Sequence, residues 1–521
     1  MTVFFALHST RPLASADPAG IRAQLRRSQS PRVVFNAGLF CLTLSGIPVF
    51  AQVAAPMAVP PTSPSAAASP GDGVTPVAAP ASTDRSRMLA ILNLPTPPRP
   101  NKNRNHDEAK ATLFPNLPDP LVLKNGQPVK DADTWWKQRR PEIFNDMMAE
   151  VYGRIPDNTP KITWEIAAET DNGTMKTRNI VGHIDNSSYP AARPTIQLTL
   201  YLPSHTSGPV PVIVEVGGMF GAPRAGGPPR GAPAGAGANT PAGATPANGP
   251  TGPAATAAAG SAVRGPGPGA GGGRDQVLAR GWGFAVFNTG AVQADSAAGL
   301  TSGIIGLVNK GQPRSRTDEW GVLAAWAWGL SKTADYLATD RDVDAIQLGL
   351  EGFSRWGKTA VLAAAIEPRW VVAWAGNSGA GGVKLNRRDY GESLDDVAEE
   401  NESYWMAGNY LKYANHYWGD LPVDSHELVA LVAPRAVFIT GGTTDQNSDA
   451  NGMFLAGVGA GPVYRLLGKQ DLGATEMPAP DVALLSGDLG FREHVGPHTQ
   501  APDWPSFLEF AAKYLHAPTP N

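Results

Sequence analysis

Residues 348–365, LGLEGFSRWGKTAVLAAA, constrain the fold more than any other part of the chain. An apolar strand runs into a tight turn at Gly352 and Ser354, and an Ala-rich helix follows at once. This succession is typical of a nucleophile elbow, which exposes a serine hydroxyl at the carboxyl edge of a sheet. The match to Gly-x-Ser-x-Gly is imperfect, because Trp356 stands at the second glycine position and Gly357 comes one residue later. A purely structural turn is therefore the alternative to a nucleophilic Ser354.

Short apolar stretches alternate with helical patterns on both sides of this segment. Such alternation is typical of βαβ units around a mostly parallel sheet. We therefore predict an α/β fold, an α/β-hydrolase built as a three-layer sandwich with a mostly parallel central sheet. Helices are predicted at 320–337 and 358–366, and strands at 195–202, 210–216, 283–288, 346–351, 371–375 and 436–440.

Glycine and proline mark two stretches that cannot form part of a core. The 521 residues include 58 Gly and 49 Pro, which are concentrated in these stretches. Residues 52–108 are rich in Ala and Pro and predict a disordered linker. Residues 221–273, rich in Gly, Pro and Ala, predict a disordered insertion. The insertion interrupts one predicted catalytic domain, residues 109–517.

The first 51 residues are predicted to be a signal peptide with an N-terminal extension. The apolar stretch 33–50 follows a cluster of arginines, and it is short and interrupted by Gly and Pro. A single membrane anchor is the alternative. Cleavage near Ala51 would remove Cys41, the one cysteine of the chain, so the mature protein could form no disulfide. We expect a periplasmic or secreted protein that has no membrane association after cleavage.

The balance of charge disfavours polyanionic partners. The 43 Lys and Arg residues stand against 46 Asp and Glu, which gives a formal net charge of −3. This balance provides no broad cationic field for nucleic acid or an anionic membrane surface. A small molecule or a glycan is the expected ligand. We expect no metal and no cofactor, because scattered histidines are poor evidence for a metal site.

The elbow and several other segments resemble the glucuronoyl esterases, carbohydrate esterase family 15, of the bacterial type. The elbow of that family reads GxSRxGK, and residues 352–358 read GFSRWGK. The resemblance covers most of residues 130–516 apart from the insertion, and it implies a serine esterase. The other similar segments are 317–337, 377–394, 421–435 and 462–468.

A serine hydroxyl needs a general base within hydrogen-bond reach before it can attack. In α/β-hydrolases the chain order is Ser, acid, His, so the base is expected after the last strands. His498 lies in GPHTQAPDW, a loop that leads into a C-terminal helix, and it is the predicted base. The family pattern similarly ends with a glycine-rich loop that carries His. His494, four residues earlier, is the alternative.

The acid that orients the histidine is expected in the loop after a late strand. Asp445 follows the apolar stretch AVFITGG by a few residues, and Asp449 is close enough to compete. Some family members instead carry the acid just before the SG of an SGxGG segment, where this chain has Asn377. The resemblance therefore also indicates the later loop. Asp445 is the predicted acid, with Asp449 as the alternative.

Negative charge on the former carbonyl oxygen requires preorganised donors. The elbow places the backbone N–H of Arg355 for this purpose, and the resemblance implies that the Arg355 side chain also faces the oxyanion. A surface ion pair is the alternative role for that side chain. Gly217 and Gly218, which follow a predicted strand, are candidates for a second backbone donor.

The resemblance also implies residues that hold the sugar. It implies that Lys358 and Glu392 bind hydroxyl groups of the sugar. Trp405 is a candidate for a wall of the pocket. Two departures from the family pattern concern the substrate. Asn447 stands where the acid loop usually has a tryptophan that covers the sugar, and residues 402–405 read ESYW where FPHW is usual.

Together these residues predict a monomeric esterase with a Ser-His-Asp triad. The substrate that the resemblance implies is the ester between 4-O-methyl-D-glucuronic acid of xylan and lignin alcohols, as in glucuronoxylan or lignin-carbohydrate complexes. A carbohydrate acetyl esterase or a general carboxylesterase is the alternative enzyme. An alternative of another class is a glycan-binding protein without catalytic activity.

Deleting residues 221–273 is expected to leave ester hydrolysis intact, because a segment of this composition contributes nothing to a core. The rate of the deletion variant on an activated ester such as p-nitrophenyl acetate measures this. An inactive variant that still folds would mean that the segment forms part of the pocket.

Overall fold

A nine-stranded sheet forms the centre of the computed structural model, which describes residues 83–95, 104–111, 117–217 and 272–518. The predicted signal peptide and nearly all of the predicted insertion lie outside the described residues. The spatial order of the strands is β1-β2-β3-β5-β4-β6-β7-β8-β9. The strands are β1 Ile162–Asp171, β2 Met175–Ile184, β3 Thr195–Pro203, β4 Val210–Val216, β5 Gly283–Phe287, β6 Val343–Phe353, β7 Trp370–Gly376, β8 Ala436–Gly442 and β9 Leu489–His494.

The sheet is mostly parallel. Strands β5, β4, β6, β7, β8 and β9 pair in parallel, while β1, β2 and β3 form an antiparallel meander that joins the sheet at β5. All seven residues of β4 and of β8 are buried, as expected for strands that are covered on both faces. The predicted α/β-hydrolase architecture is confirmed, and each predicted strand overlaps an observed one.

Helices cover both faces of the sheet and give the three layers. On one face, α4 and α12 pack against Phe284, Trp374 and Phe438. On the other face, α7, α8, α10 and α11 pack against apolar side chains of the same strands. The helices are α1 Asp84–Ile91, α2 Ala132–Thr134, α3 Arg140–Asp146, α4 Gly273–Leu278, α5 Thr289–Val292, α6 Gly303–Val308, α7 Val322–Leu337, α8 Arg355–Ile366, α9 Leu394–Val397, α10 Ser425–Val432, α11 Ala450–Leu466 and α12 Trp504–Ala511.

Further helical turns connect these elements. The π-helical stretches Trp135–Arg139 and Met147–Tyr152 flank α3. One 3-10 turn, Ser403–Trp405, lies in a loop near the carboxyl edge of the sheet. Another, Ala501–Asp503, directly precedes α12. No helix within the described ranges combines the length and apolar character needed to cross a bilayer.

Part of the segment 52–108, for which a disordered linker is predicted, belongs to the fold. The side chain of Thr83 caps α1, and Met88 of α1 is fully buried in the core. Asp84 forms a buried ion pair with Arg314, whose side chain is 1% exposed. The linker prediction is therefore too long, because Ala/Pro/Ser-rich surroundings obscure a short helix that is anchored by contacts distant in sequence.

Replacing Asp84 with Ala should lower the free energy of unfolding by about 3 kcal/mol, because it leaves the buried guanidinium of Arg314 without its carboxylate. Urea unfolding measures this change. The matched control is Asp133→Ala, which removes an exposed ion pair with Lys137 and should have little effect. An unchanged unfolding midpoint for Asp84→Ala would mean that α1 does not contribute to the stability of the fold.

Candidate active site

The turn between β6 and α8 has the shape of a nucleophile elbow. Ser354 adopts φ 59° and ψ −128°, a conformation that is rare for a residue with a side chain. Its N–H donates to the carbonyl oxygen of Gly376 at 2.8 Å. A Cβ atom at Gly352 would lie 2.2 Å from the carbonyl oxygen of Trp356, and one at Gly357 would lie 2.9 Å from that of Gly376. Both glycines are therefore needed for the turn, including the one that comes a residue later than usual.

The predicted base and acid meet beside this turn. The Nδ1 atom of His498 lies 2.6 Å from Oδ2 of Asp445. The side chain of Asp445 is 6% exposed, whereas that of His498 is 42% exposed. The ring of Phe353 lies 4.5 Å from the imidazole, centroid to centroid, and fixes it next to the elbow. Ser354, His498 and Asp445 all line one cavity of about 390 Å³.

The carboxylate of Asp445 is kept ionised. Burial raises its pKa, but hydrogen bonds to His498, Asn377 and Ser448 lower it, and the net effect is a lowered pKa. The amide of Asn377 donates to Oδ2 of Asp445 at 2.8 Å. Asn377 occupies the alternative acid position of the family pattern, and here its side chain holds the carboxylate of the later loop. An ionised carboxylate can hold the imidazole and stabilise its protonated form.

The alternative base and acid are engaged elsewhere. His494 is fully buried, with its Nδ1 atom 2.8 Å from Asp503 and its Nε2 atom 3.0 Å from the carbonyl oxygen of Pro497. Asp449 caps α11 and forms a buried ion pair with Arg388. Neither side chain lines the cavity. Within the described ranges, no group of three or more His, Cys, Asp and Glu side chains is arranged to hold a metal ion.

Arg355 lies at the cavity and also forms an ion pair. Its Nη1 atom donates to Oδ2 of Asp295 at 2.5 Å, and its guanidinium lies 5.5 Å from the ring centroid of Trp405. Asp295 also accepts hydrogen bonds from Trp405 Nε1 at 2.7 Å and from the hydroxyl of Tyr404 at 3.0 Å. The carboxylate of Asp295 therefore orients both Arg355, a cationic wall of the cavity, and Trp405, an aromatic wall. No motif surrounds Asp295 in the sequence, so its role could not be predicted.

Gly217 does not serve as the predicted second backbone donor. Its N–H donates to the carbonyl oxygen of Phe287 at 3.0 Å, in continuation of the pairing between β4 and β5. The glycine is required instead by the ring of Trp356, because a Cβ atom at Gly217 would lie 2.3 Å from that ring. Gly218 lies outside the described residues.

The residues predicted to hold a sugar share the same cavity. Lys358 Nζ donates to Glu392 Oε2 at 2.9 Å and also to the carbonyl oxygen of Ala380. The N–H of Ala380 donates to the same Glu392 oxygen at 3.1 Å. Trp405 completes this wall, with its ring centroid 5.9 Å from Lys358 Nζ. The structure thus brings Lys358, Glu392 and Trp405 together with Ser354.

The cavity contains further side chains that sequence reasoning missed. Residues 104–111, which we call the N-terminal strap, cross its rim. Arg104 of the strap lines the cavity and donates to Asp396 at 3.1 Å, and His106 lies 3.2 Å from Asn447. The strap lies within the predicted linker. It is held by contacts with loops distant in sequence, and no local sequence pattern indicates such contacts. The other missed lining residues are Ser378, Glu402 and Ser448.

Comparison with known proteins shows extensive similarity to one family of esterases. The family profile described as "Glucuronyl esterase, fungi" matches residues 310–468. The chain is 32% identical over 439 residues to the carbohydrate esterase MZ0003 from an unknown prokaryotic organism. That alignment covers 79% of this chain and 92% of MZ0003.

Solved structures agree with this similarity. A CE15 glucuronoyl esterase from Teredinibacter turnerae T7901 superposes with a TM-score of 0.70 at 33% identity, covering 82% of this chain and 98% of that chain. A glucuronoyl esterase from Solibacter usitatus superposes with a TM-score of 0.63 at 33% identity, covering 78% of this chain and 99% of that chain.

Replacing Asp449 with Asn should lower the free energy of unfolding by roughly 3 kcal/mol, because it leaves the buried Arg388 with a single carboxylate, that of Glu108. The rate of ester hydrolysis per folded molecule should change little. Denaturant unfolding and active-site titration separate the two effects. A large loss of rate without a loss of stability would place Asp449, and not Asp445, in the reaction.

Proposed function

Because the chain belongs to carbohydrate esterase family 15, the glucuronoyl esterases, and is a carboxylic ester hydrolase, we propose that it cleaves glucuronoyl esters with a Ser-His-Asp triad. The proposed substrate is the ester between 4-O-methyl-D-glucuronic acid of xylan and a lignin alcohol. The observation that carries the proposal is the 2.6 Å contact between His498 Nδ1 and Asp445, in the same cavity as the elbow serine.

The first step is attack by Ser354 on the ester carbonyl. An ionised Asp445 accepts the hydrogen of His498 Nδ1, which leaves the Nε2 lone pair as the general base. Nε2 takes the proton of the Ser354 hydroxyl as the oxygen adds to the carbonyl carbon. Negative charge then develops on the former carbonyl oxygen.

Arg355 is the proposed stabiliser of that charge. Its backbone N–H lies at the start of α8, where the helix dipole also favours an anion. Its guanidinium has several donors, and the ion pair with Asp295 holds it at the cavity while others stay available. Protonated His498 then gives its proton to the leaving alcohol. In the second half of the reaction, His498 takes a proton from water as the water adds to the acyl group, and it returns the proton to Ser354 as the acid leaves.

The opposite part of the cavity suits a polyhydroxylated acid. Lys358, Glu392 and Arg104 provide donors and acceptors, and Trp405 provides an apolar ring face. Sugars are bound by this combination of planar hydrogen-bonding groups and an aromatic surface. We further propose that the enzyme is a monomer. We also propose that it acts in the periplasm or outside the cell, and the apolar segment 33–50 supports this location.

Replacing Ser354 with Ala should lower kcat on benzyl D-glucuronate by a factor on the order of 10⁶, because no other group can form the acyl intermediate. Asp445→Asn should lower it by about 10⁴, since the amide favours the wrong imidazole tautomer. Steady-state kinetics with circular dichroism as a folding control measures both.

The wild-type enzyme supplies the remaining controls. It should be labelled by a serine-directed phosphonate, and Ser354→Ala should not. Faster turnover of acetylated xylan than of benzyl glucuronate would favour a carbohydrate acetyl esterase. Absence of both labelling and turnover in the wild-type protein would favour a glycan-binding protein.

A further inference from the structure

Two buried glutamates lie side by side directly before the nucleophile elbow. Glu215 of β4 and Glu351 of β6 are register partners, and they are the last pair that these two strands form. Both side chains are buried, and that of Glu351 is almost fully buried. The turn that carries Ser354 begins immediately after Glu351. The two carboxyl groups therefore lie at the point where β6 leaves β4 and enters the elbow.

Both carboxyl groups point to the face of the sheet that α4 and α12 cover. Alternate residues of a strand share a face, and Ile213, two residues before Glu215, lies in the apolar layer under these helices. A Cβ atom at Gly349, two residues before Glu351, would lie 3.4 Å from Ile213. Neighbouring strands are about 4.8 Å apart, so register partners on one face can bring their carboxyl groups into contact.

The uncharged neighbours of the pair offer it no hydrogen-bond donor. Val286 is the register partner of Glu215 on β5, and Trp374 is that of Glu351 on β7. The indole N–H of Trp374 donates to the hydroxyl oxygen of Thr440 at 2.9 Å and is therefore engaged elsewhere. Neither side-chain oxygen of Glu351 accepts a hydrogen bond from a donor group of the described residues.

The charged side chains around this face do not compensate the pair. They form ion pairs with one another, bind backbone carbonyl oxygens or face solvent. They are Arg274 and Asp275 of α4, Asp503 with Arg492 and His494, Glu509 of α12, and Lys513 just beyond α12. Among the described residues, the charge that acts on Glu351 is that of Glu215, which has the same sign.

Two adjacent carboxyl groups in an apolar layer retain protons. Burial raises the pKa of Glu215 to about 7. Burial, together with the like charge of Glu215, raises the pKa of Glu351 well above its ordinary value of 4.5. Neighbouring carboxyl groups of this kind do not both ionise readily. Because a protonated carboxyl group donates whereas an ionised one only accepts, one proton can pair an oxygen of each residue.

We propose that Glu215 and Glu351 share a proton and act as positioning residues for Ser354. The O–H group of one carboxyl donates to an oxygen of the other, and this bond joins β4 to β6 directly before the elbow. When the last proton is lost, two carboxylates repel each other across the strands, and Ser354 moves relative to His498. Because Ser354 is the nucleophile of the proposed function, this role rests on that proposal.

The pair makes the stability of the fold decrease as the pH rises. An unfolded chain releases these protons near the ordinary pKa of 4.5, whereas the native protein retains them. The stabilisation is therefore complete below about pH 4.5 and is lost as the pH rises through about 7. For each proton that only the native state retains, the folding equilibrium constant falls about tenfold per pH unit in this interval.

The test compares Glu351→Gln and the reciprocal Glu215→Gln with the wild-type enzyme. In each variant an amide donates to the remaining carboxylate, so that no proton has to be shared. Urea unfolding between about pH 5 and 7 should show a folding equilibrium constant that falls less steeply than in wild type, by about tenfold per pH unit. The infrared C=O band of a protonated carboxyl group should be present in wild type at neutral pH and weaker in each variant.

The rate of ester hydrolysis tests the positioning of Ser354. As the last proton leaves above about pH 7, wild-type kcat on p-nitrophenyl acetate should fall reversibly by on the order of tenfold, because a small displacement of the nucleophile is costly. Glu351→Gln should keep its kcat over the same range. Glu509→Gln is the matched control, since Glu509 is an exposed glutamate of α12, and it should follow wild type in every measurement.

The outcomes separate the possible failures. Parallel unfolding profiles for wild type and Glu351→Gln, without a protonated carboxyl band, would overturn the shared proton. A changed unfolding profile with an unchanged pH profile of kcat would overturn the positioning role. Turnover by Ser354→Ala at the wild-type rate would instead overturn the proposed nucleophile, and it would not alter the unfolding or infrared results.

Discussion

The backbone turn at Ser354 is the constraint on which the rest of the site depends. A positive φ at a serine costs on the order of 1–3 kcal/mol, and it persists because the neighbouring backbone leaves no other arrangement. The N–H of Ser354 is held by Gly376 at the end of β7, and Gly352 and Gly357 allow α8 to approach the sheet. A side chain at either glycine would collide with backbone atoms and force α8 away from the sheet. The geometry of the sheet therefore determines the position of Ser354.

The parallel strands could be predicted because burial on both faces makes them continuous apolar runs, as in β4 and β8. Strands β1 and β2 lacked this signal. Most of β1 is exposed, and its sequence ITWEIAAETD reads as polar and helix-compatible. The antiparallel meander is stabilised by pairing with β3, and β9 is a six-residue strand held beside β8. Their formation depends on neighbours in the sheet, which a local pattern does not record.

The sequence indicated candidates for the acyl-transfer residues by a motif and by chain order. Ser354 carries a local motif, and the chain order of the fold limits where its acid and base can lie. The two candidate acids differ in contacts that are distant in sequence, since Asn377 donates to Asp445 and Arg388 pairs with Asp449. Asp295 and Arg104 reach the cavity only through tertiary contacts, with Arg355 and Asp396 respectively. No spacing rule connects such pairs.

The two ends of the cavity differ in how their charged groups are paired. At the Ser354 end, Asp445 pairs with His498 and Arg355 pairs with Asp295, which fixes the orientation of these groups. At the Glu402 end, Lys358 and Arg104 pair with other carboxylates, and Oε2 of Glu402 has no hydrogen-bond partner in the part of the chain that the structure describes. A buried acceptor without a partner does not stabilise the free enzyme. A ligand that supplies the missing donor binds more tightly because it pairs this acceptor.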